Sequence, residues 1–257
     1  MKKTILSLLL ICGLSVGFAQ ATSEGRISEA SAGDAPAAAS STERSDWLAS
    51  FDAVSVDGDL DIRFVRVPES EAPHIVYDTK GSYTTKFRVD VHDRELRIRE
   101  QSDSRRPERT TVTLYYNSLR ALSVAQAVAS FDDVLIADLF DLTVDSRASL
   151  VLGLDVRDLY MHLAGESRVT LTGCAHYLTL AASTGRVDAL DLYCVAARIN
   201  AQSRARVRLN VSERLEAKTS TGASIRYKQT PELMRVAQNF LAGSVGLLDD
   251  EEGDEHR

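Results

Sequence analysis

The chain has 257 residues, with 30 lysines and arginines against 37 aspartates and glutamates, a net charge of −7 at pH 7 and 44% hydrophobic residues. That length suffices for one domain with a buried core. The acidic balance argues against a general nucleic-acid binder, which needs a basic footprint to neutralise phosphates.

Residues 1–19 read as a signal peptide: Lys2 and Lys3 start it, an apolar run follows from Ile5 to Phe18, and small residues at Gly17, Ala19 and Ala21 suit cleavage. Removing the two lysines with that leader shifts the net charge from −7 to −9. Cys12 belongs to the discarded run, because Leu10 and Ile11 precede it where a lipid-attachment site wants a small residue. Residues 20–46 are mostly Ala, Ser, Glu and Gly with Pro36, and read as a disordered linker. No later segment is apolar enough to cross a bilayer, so the sequence predicts an exported protein: periplasmic, outer-membrane-associated or extracellular.

Residues 47–118 alternate apolar and polar side chains with period two, the strand signature. Phe51–Val56 and Leu60–Val67 flank Asp57-Gly58-Asp59, a hairpin signal. Further strands are expected at His74–Tyr77, Phe87–Val91, Glu95–Arg99 and Thr111–Tyr115. The region is read as an N-terminal β cap on a solenoid formed by the remainder of the chain, because the first rung of a solenoid otherwise presents unpaired backbone.

Residues 119–248 carry the repeat. Five segments set one spaced apolar pair before another: Leu142/Val144 with Leu150/Leu152, Met161/Leu163 with Val169/Leu171, Leu178/Leu180 with Val187/Ala189, Ile199/Ala201 with Val207/Leu209, and Ala217/Thr219 with Ile225/Tyr227. The second pair recurs in steps of 19, 18, 20 and 18 residues. A near-fixed period with strand alternation inside it means one β unit stacked on copies of itself, a β-solenoid. Leu150, Val169, Val187, Val207 and Ile225 are expected in one interior column. Residues 249–257 are a like-charge run and read as an acidic disordered tail.

Chemistry-bearing residues are sparse. His74, His92, His162, His176 and His256 stand singly, without metal-ligand spacing, and there is neither a phosphate loop nor a nucleophile elbow. Asp145, Glu166 and Asp188 fall at different points of their rungs and are not expected to converge. No catalytic residue, metal or cofactor is therefore assigned, and the chain is read as not an enzyme. Two features stand out. Cys174 and Cys194 are 20 residues apart, one rung's length, which would bring their Cα atoms to about 5 Å and within disulfide reach; two free thiols remain the alternative if rung drift turns the side chains apart. Arg168, Arg186 and Arg206 occupy the outward position just before the second apolar pair, and Arg208 and Arg226 the outward position within it. Stacking should align them into a stripe. A solvated face screened by Glu166, Asp188 and the acidic tail is the bland reading of that stripe, and a binding face for an anionic polymer the functional one.

Several segments resemble the "putative auto-transporter adhesin, head GIN domain" family: Phe51-Asp52-Ala53-Val54-Ser55-Val56, Arg94–Ile98, Ser118–Val124 and the closing Tyr227-Lys228-Gln229-Thr230-Pro231. The resemblance covers roughly Phe51 to Leu248 and implies an all-β bacterial envelope or secreted protein with a right-handed parallel β-helix. It carries no catalytic residues. The usual Ser-Gly-Ser corners are replaced here by Gln202-Ser203-Arg204-Ala205 and Asp145-Ser146-Arg147, where wider turns are expected. On this reading the chain is a binding module for an acidic glycan, another envelope polymer or a protein; the alternatives are an envelope scaffold that stacks or oligomerises and, behind it, a carbohydrate-active enzyme.

Overall fold

The computed structural model describes residues 43–80, 86–101, 108–238 and 243–248, all within one compact unit, Ser41–Arg257. The expected leader, most of the linker and the acidic tail lie outside these residues. Every regular element described is a strand. In chain order these are β1 (Glu43–Trp47), β2 (Ala53–Asp57), β3 (Leu60–Arg66), β4 (His74–Asp78), β5 (Phe87–His92), β6 (Glu95–Glu100), β7 (Thr110–Tyr116), β8 (Ala121–Ala125), β9 (Val128–Phe131), β10 (Leu135–Asp145), β11 (Ser149–Leu163), β12 (Arg168–Ala182), β13 (Arg186–Ala201), β14 (Arg206–Thr219), β15 (Ser224–Tyr227), β16 (Leu233–Gln238) and β17 (Ser244–Leu247). They form one sheet wound into a β-solenoid of about 6 turns.

The expected interior column is present. Leu150, Val169, Val187, Val207 and Ile225 are consecutive partners across β11 to β15, and none is more than 2% exposed. The parallel column Leu122, Leu142, Met161, Leu180, Ile199 and Ala217 faces it from the other side of each rung and is also buried. Alternation puts every second side chain inward, and stacking at about 4.8 Å lets each apolar residue cover its equivalent on the next rung. The unequal steps are absorbed by irregular pairing: the register of β13 shifts against β12 between Thr170 and Thr172, and against β14 between Ala189 and Tyr193. The longest rung therefore carries its extra residues as a bulge and keeps Val187 and Val207 in column.

The N-terminal region departs from the expected plan. Asp57-Gly58-Asp59 is not a hairpin. β2 pairs in parallel with β6 and β8, and β3 with β7 and β9, so this turn is a solenoid corner and β2–β3 is itself a rung. The chain then leaves the stack, returns as β6–β7 on the outer side of that rung, and crosses back to continue as β8–β9 on the inner side. The cap proper is antiparallel: β4 on β7, β1 on β4, and β5 on β6 through the tight Asp93-Arg94 turn, where both residues have positive φ as such hairpins require. β1 also takes Glu43 to Asp46 out of the expected linker, because its backbone pairs with β4.

The corners that lack glycine are no wider than those that keep it. Ser146-Arg147 (φ 55° and 65°) and Ser203-Arg204 (52° and 66°) have the same left-handed pair as Gly165-Glu166 (63° and 60°) and Thr221-Gly222 (53° and 73°). Rung-to-rung bonds hold them there: the Arg147 amide donates to the Gly165 carbonyl at 2.7 Å and the Arg204 amide to the Thr221 carbonyl at 3.0 Å. Stacking thus enforces a backbone geometry that the local sequence disfavours.

Candidate binding faces

The five arginines form two neighbouring columns just past the corners. Arg168 is directly opposite Arg186, and Arg186 opposite Arg206. Two positions further along each strand, Asp188 is opposite Arg208, and Arg208 opposite Arg226. The outward positions follow from the inward ones, because Val169, Val187 and Val207 are held in the core and their predecessors must face solvent. Arg168, Arg186 and Arg206 are exposed, while Arg208 and Arg226 are half-buried.

The columns differ in charge compensation. Arg208 Nη1 donates to Asp188 Oδ2 at 3.2 Å, and Arg226 extends over Gly246, where a side chain would meet its Nη1 at 3.1 Å. Among the described residues no ion pair engages Arg168, Arg186 or Arg206. Of the groups expected to screen the stripe, Asp188 reaches Arg208, Glu166 lies in the corner before Arg168, where its backbone amide donates to Thr184 Oγ1 at 3.2 Å, and the acidic tail lies outside the described residues. Three cations therefore stand in line at about 4.8 Å backbone spacing, a repulsive arrangement with no ion-paired carboxylate among the described residues.

The cysteines do not meet. Cys174 lies opposite Tyr193, and Cys194 opposite Ala175. They are one residue out of register, so Cys174 points outward and is exposed while Cys194 points inward and is buried; both are free thiols. Asp145 precedes one corner, with its Oδ1 against Gly165 of the next, Glu166 lies within that next corner, and Asp188 is on the strand beyond. No group of three or more His, Cys, Asp or Glu side chains is placed to hold a metal ion among the described residues.

A second feature lies across the corner, on the face formed by the ends of β11 to β14. Tyr177 is opposite Ala196, and Ala196 opposite Arg214. The small Ala196 between two long side chains leaves a depression of about 210 Å³, lined also by Thr179, Arg198 and Glu216. Tyr160 is opposite Thr179 and diagonal to Tyr177; the two rings are 46% and 55% exposed. Glu216 joins both guanidiniums, accepting from Arg198 Nε at 2.9 Å and from Arg214 Nη2, and these bonds hold its carboxyl below the usual carboxylate range. The sequence signal for this patch is tyrosine at outward strand positions on successive rungs, which the apolar pattern does not report.

Stacked parallel rungs, a closed N-terminal end and exposed side-chain columns define a solenoid repeat protein whose flat sides are its available surfaces. The chain belongs to the family described as "Putative auto-transporter adhesin, head GIN domain", whose model matches residues 50–231. Solved structures share its fold, among them the following three. The one titled a putative adhesin from Bacteroides fragilis has a TM-score of 0.73 at 17% identity, covering 80% of this chain and 96% of its own. Another titled a putative adhesin, from Parabacteroides merdae, has a TM-score of 0.59 at 16% identity, with 80% and 95% covered. One titled a putative lipid binding protein, from Parabacteroides distasonis, has a TM-score of 0.60 at 15% identity, with 80% and 96% covered. No curated protein matches the chain. Family and structures are named for adhesion or binding rather than for catalysis.

Proposed function

We propose that the chain is a noncatalytic, exported binding module whose uncompensated arginine column engages a polyanion, such as an acidic polysaccharide or the phosphates of lipopolysaccharide. The observation that carries this reading is the direct register of Arg168, Arg186 and Arg206 without a carboxylate partner. Guanidiniums pair bidentately with carboxylate and phosphate, and a repeating column suits a repeating polymer. The test is binding of the mature chain to an acidic polysaccharide and to lipopolysaccharide over a salt series. Affinity is expected to fall steeply with salt, since exposed charges are screened within about 8 Å at physiological ionic strength. The double variant Arg186→Glu, Arg206→Glu is expected to abolish it with the melting temperature nearly unchanged. Equal binding by the double variant, or none by the parent at low salt, refutes the proposal.

A second reading, an envelope scaffold that associates end to end, draws on the C-terminal rung. Met234 and Val236 continue the interior columns of Leu215 and Ala217, yet are 46% and 38% exposed, with Leu247 beside them at 46%. Apolar side chains left exposed on the last rung, and strand edges without a further partner among the described residues, favour a second copy as partner. If the sedimentation coefficient stays constant with concentration, and Val236→Lys changes nothing, this reading fails.

A further inference from the structure

The depression over Ala196 is a slot with two long walls and a polar rim. Tyr177 and Arg214 occupy the same column two rungs apart, roughly 10 Å along the stack. A flat ring inserted between them can touch both walls at ordinary carbon contact distances of about 3.5–4.0 Å. One wall offers the apolar face of a phenol ring. The rim supplies a hydroxyl from Thr179, the remaining N–H donors of Arg198 and Arg214, and the acceptor oxygens of Glu216. The Glu216 bridge fixes both guanidiniums before any ligand arrives, which lowers the ordering cost of binding. Two guanidiniums sharing one carboxylate leave one net positive charge, against three in the arginine column across the corner.

We propose that this slot binds one pyranose ring of an uncharged glycan, with the sugar's C–H face on Tyr177, its hydroxyls on the Arg198–Glu216–Arg214 bridge, and the next unit of the chain toward Tyr160. A pyranose has an apolar face edged by hydroxyl groups, and the slot presents the complementary arrangement. Tyr160, diagonal to Tyr177 and within reach for aromatic side chains, extends the stacking surface to a neighbouring sugar. This site is separate from the polyanion face in both position and chemistry: it depends on stacking and hydrogen bonds, so its affinity is insensitive to salt.

The experiment titrates the mature chain calorimetrically with neutral tetra- to hexasaccharides of β-1,4-glucan, α-1,4-glucan, β-1,4-mannan and β-1,4-galactan, at low and at high salt. At least one is expected to bind, with a Kd that changes by less than about twofold between the two salt conditions, because exposed charge pairs contribute little to it. Tyr177→Ala is expected to weaken binding by at least about tenfold, the usual loss when a central aromatic anchor is truncated. Ala196→Trp, which fills the slot from an outward position, is expected to abolish binding while the protein melts normally. Arg186→Glu with Arg206→Glu is expected to leave it unchanged, so failure of the polyanion proposal and failure of this one are distinguishable. Absence of binding across the four glycans, or retained binding in Ala196→Trp, overturns the proposal; loss in the arginine double variant relocates the site and overturns it as well.

Discussion

Cys174 and Cys194 sit on adjacent rungs one residue out of register, so their side chains leave the sheet on opposite faces. Burial pushes the Cys194 thiol up to about 12, with a smaller contribution from nearby Cys174, and a protonated buried thiol is a poor nucleophile. In a chain that starts at residue 20, and so lacks Cys12, a thiol-reactive dye at neutral pH is therefore expected to label Cys174 alone and to reach Cys194 only in denaturant. Cys174→Ser should remove the native reaction entirely. Two rapid reactions in the folded protein, or none in denaturant without reductant, contradict this arrangement.

The left-handed corners give a second prediction. Arg147 and Arg204 have φ of 65° and 66°, a region that costs a side-chain-bearing residue roughly 1–2 kcal/mol. Glycine adopts it freely but has more unfolded-state entropy to lose, so Arg147→Gly and Arg204→Gly are each expected to stabilise the chain by about 0.5–1 kcal/mol. The reverse change at Gly165 is expected to be costly, because a side chain there collides with Asp145 Oδ1 and the Ser146 amide. Equilibrium denaturation of the three variants checks the sign of each; a destabilised Arg204→Gly would mean that its side chain, not its backbone, holds the corner.

Those corners also mark how far the sequence could be read. The interior column from Leu150 to Ile225 was legible because burial on both sides of a rung leaves only apolar residues at fixed spacing. The direct register of Arg168, Arg186 and Arg206 followed from it, since each precedes a buried valine. Rung order at the N-terminal end was not legible: β2–β3 and β6–β7 read as strands, but nothing in alternation says that the later pair stacks outside the earlier one. The cysteine register was lost for a different reason. A spacing of 20 residues matches a rung, but irregular pairing around the β13 bulge changes the facing residue by one, and one residue reverses the face. The Tyr177 slot was invisible because it depends on a small residue, Ala196, between two larger ones on different rungs.

Alkaline pH tests the core beside the cap. Tyr116 is 2% exposed, its hydroxyl has no hydrogen-bond partner among the described residues, and burial pushes its pKa from 10.0 up to about 12. The Cys194 thiol moves the same way, from 9.0 to about 12. In the unfolded chain both groups lose their protons at lower pH than in the folded one, so the folded state holds more protons in this window. Stability is then fully present below about pH 9 and is lost as pH rises toward 12. Tyr116→Phe removes an unsatisfied buried hydroxyl and is expected to raise stability by about 1 kcal/mol at pH 7, and to flatten the alkaline decline. A large loss of stability in Tyr116→Phe would show that the hydroxyl is satisfied in solution.

Acid pH tests the join where chain order and rung order part. Asp52 precedes β2, Arg94 precedes β6 and Arg120 precedes β8, and these three strands are neighbours in the stack. The Asp52 amide donates to the Arg94 carbonyl at 3.0 Å, and the Arg120 amide to the Asp52 carbonyl at 2.8 Å. Side chains repeat the link: Arg94 Nη2 meets Asp52 Oδ2 and Arg120 Nε meets Asp52 Oδ1, each at 3.1 Å. Burial pushes the Asp52 carboxyl up, but the guanidiniums of Arg120 and Arg94 beside it outweigh that and the net shift is downward from 3.8. A depressed folded-state pKa means that the contribution is present above pH 3.8 and lost as pH falls through the folded value. Because both arginines are well exposed, the effect is discounted to about 1 kcal/mol. Asp52→Asn is therefore expected to be less stable than the parent by about that amount at pH 7, with the two stability curves converging as the pH is taken well below 3.8. Curves that stay parallel down to the acid limit would show that the loss comes from packing of the amide rather than from the charge that joins the three rungs.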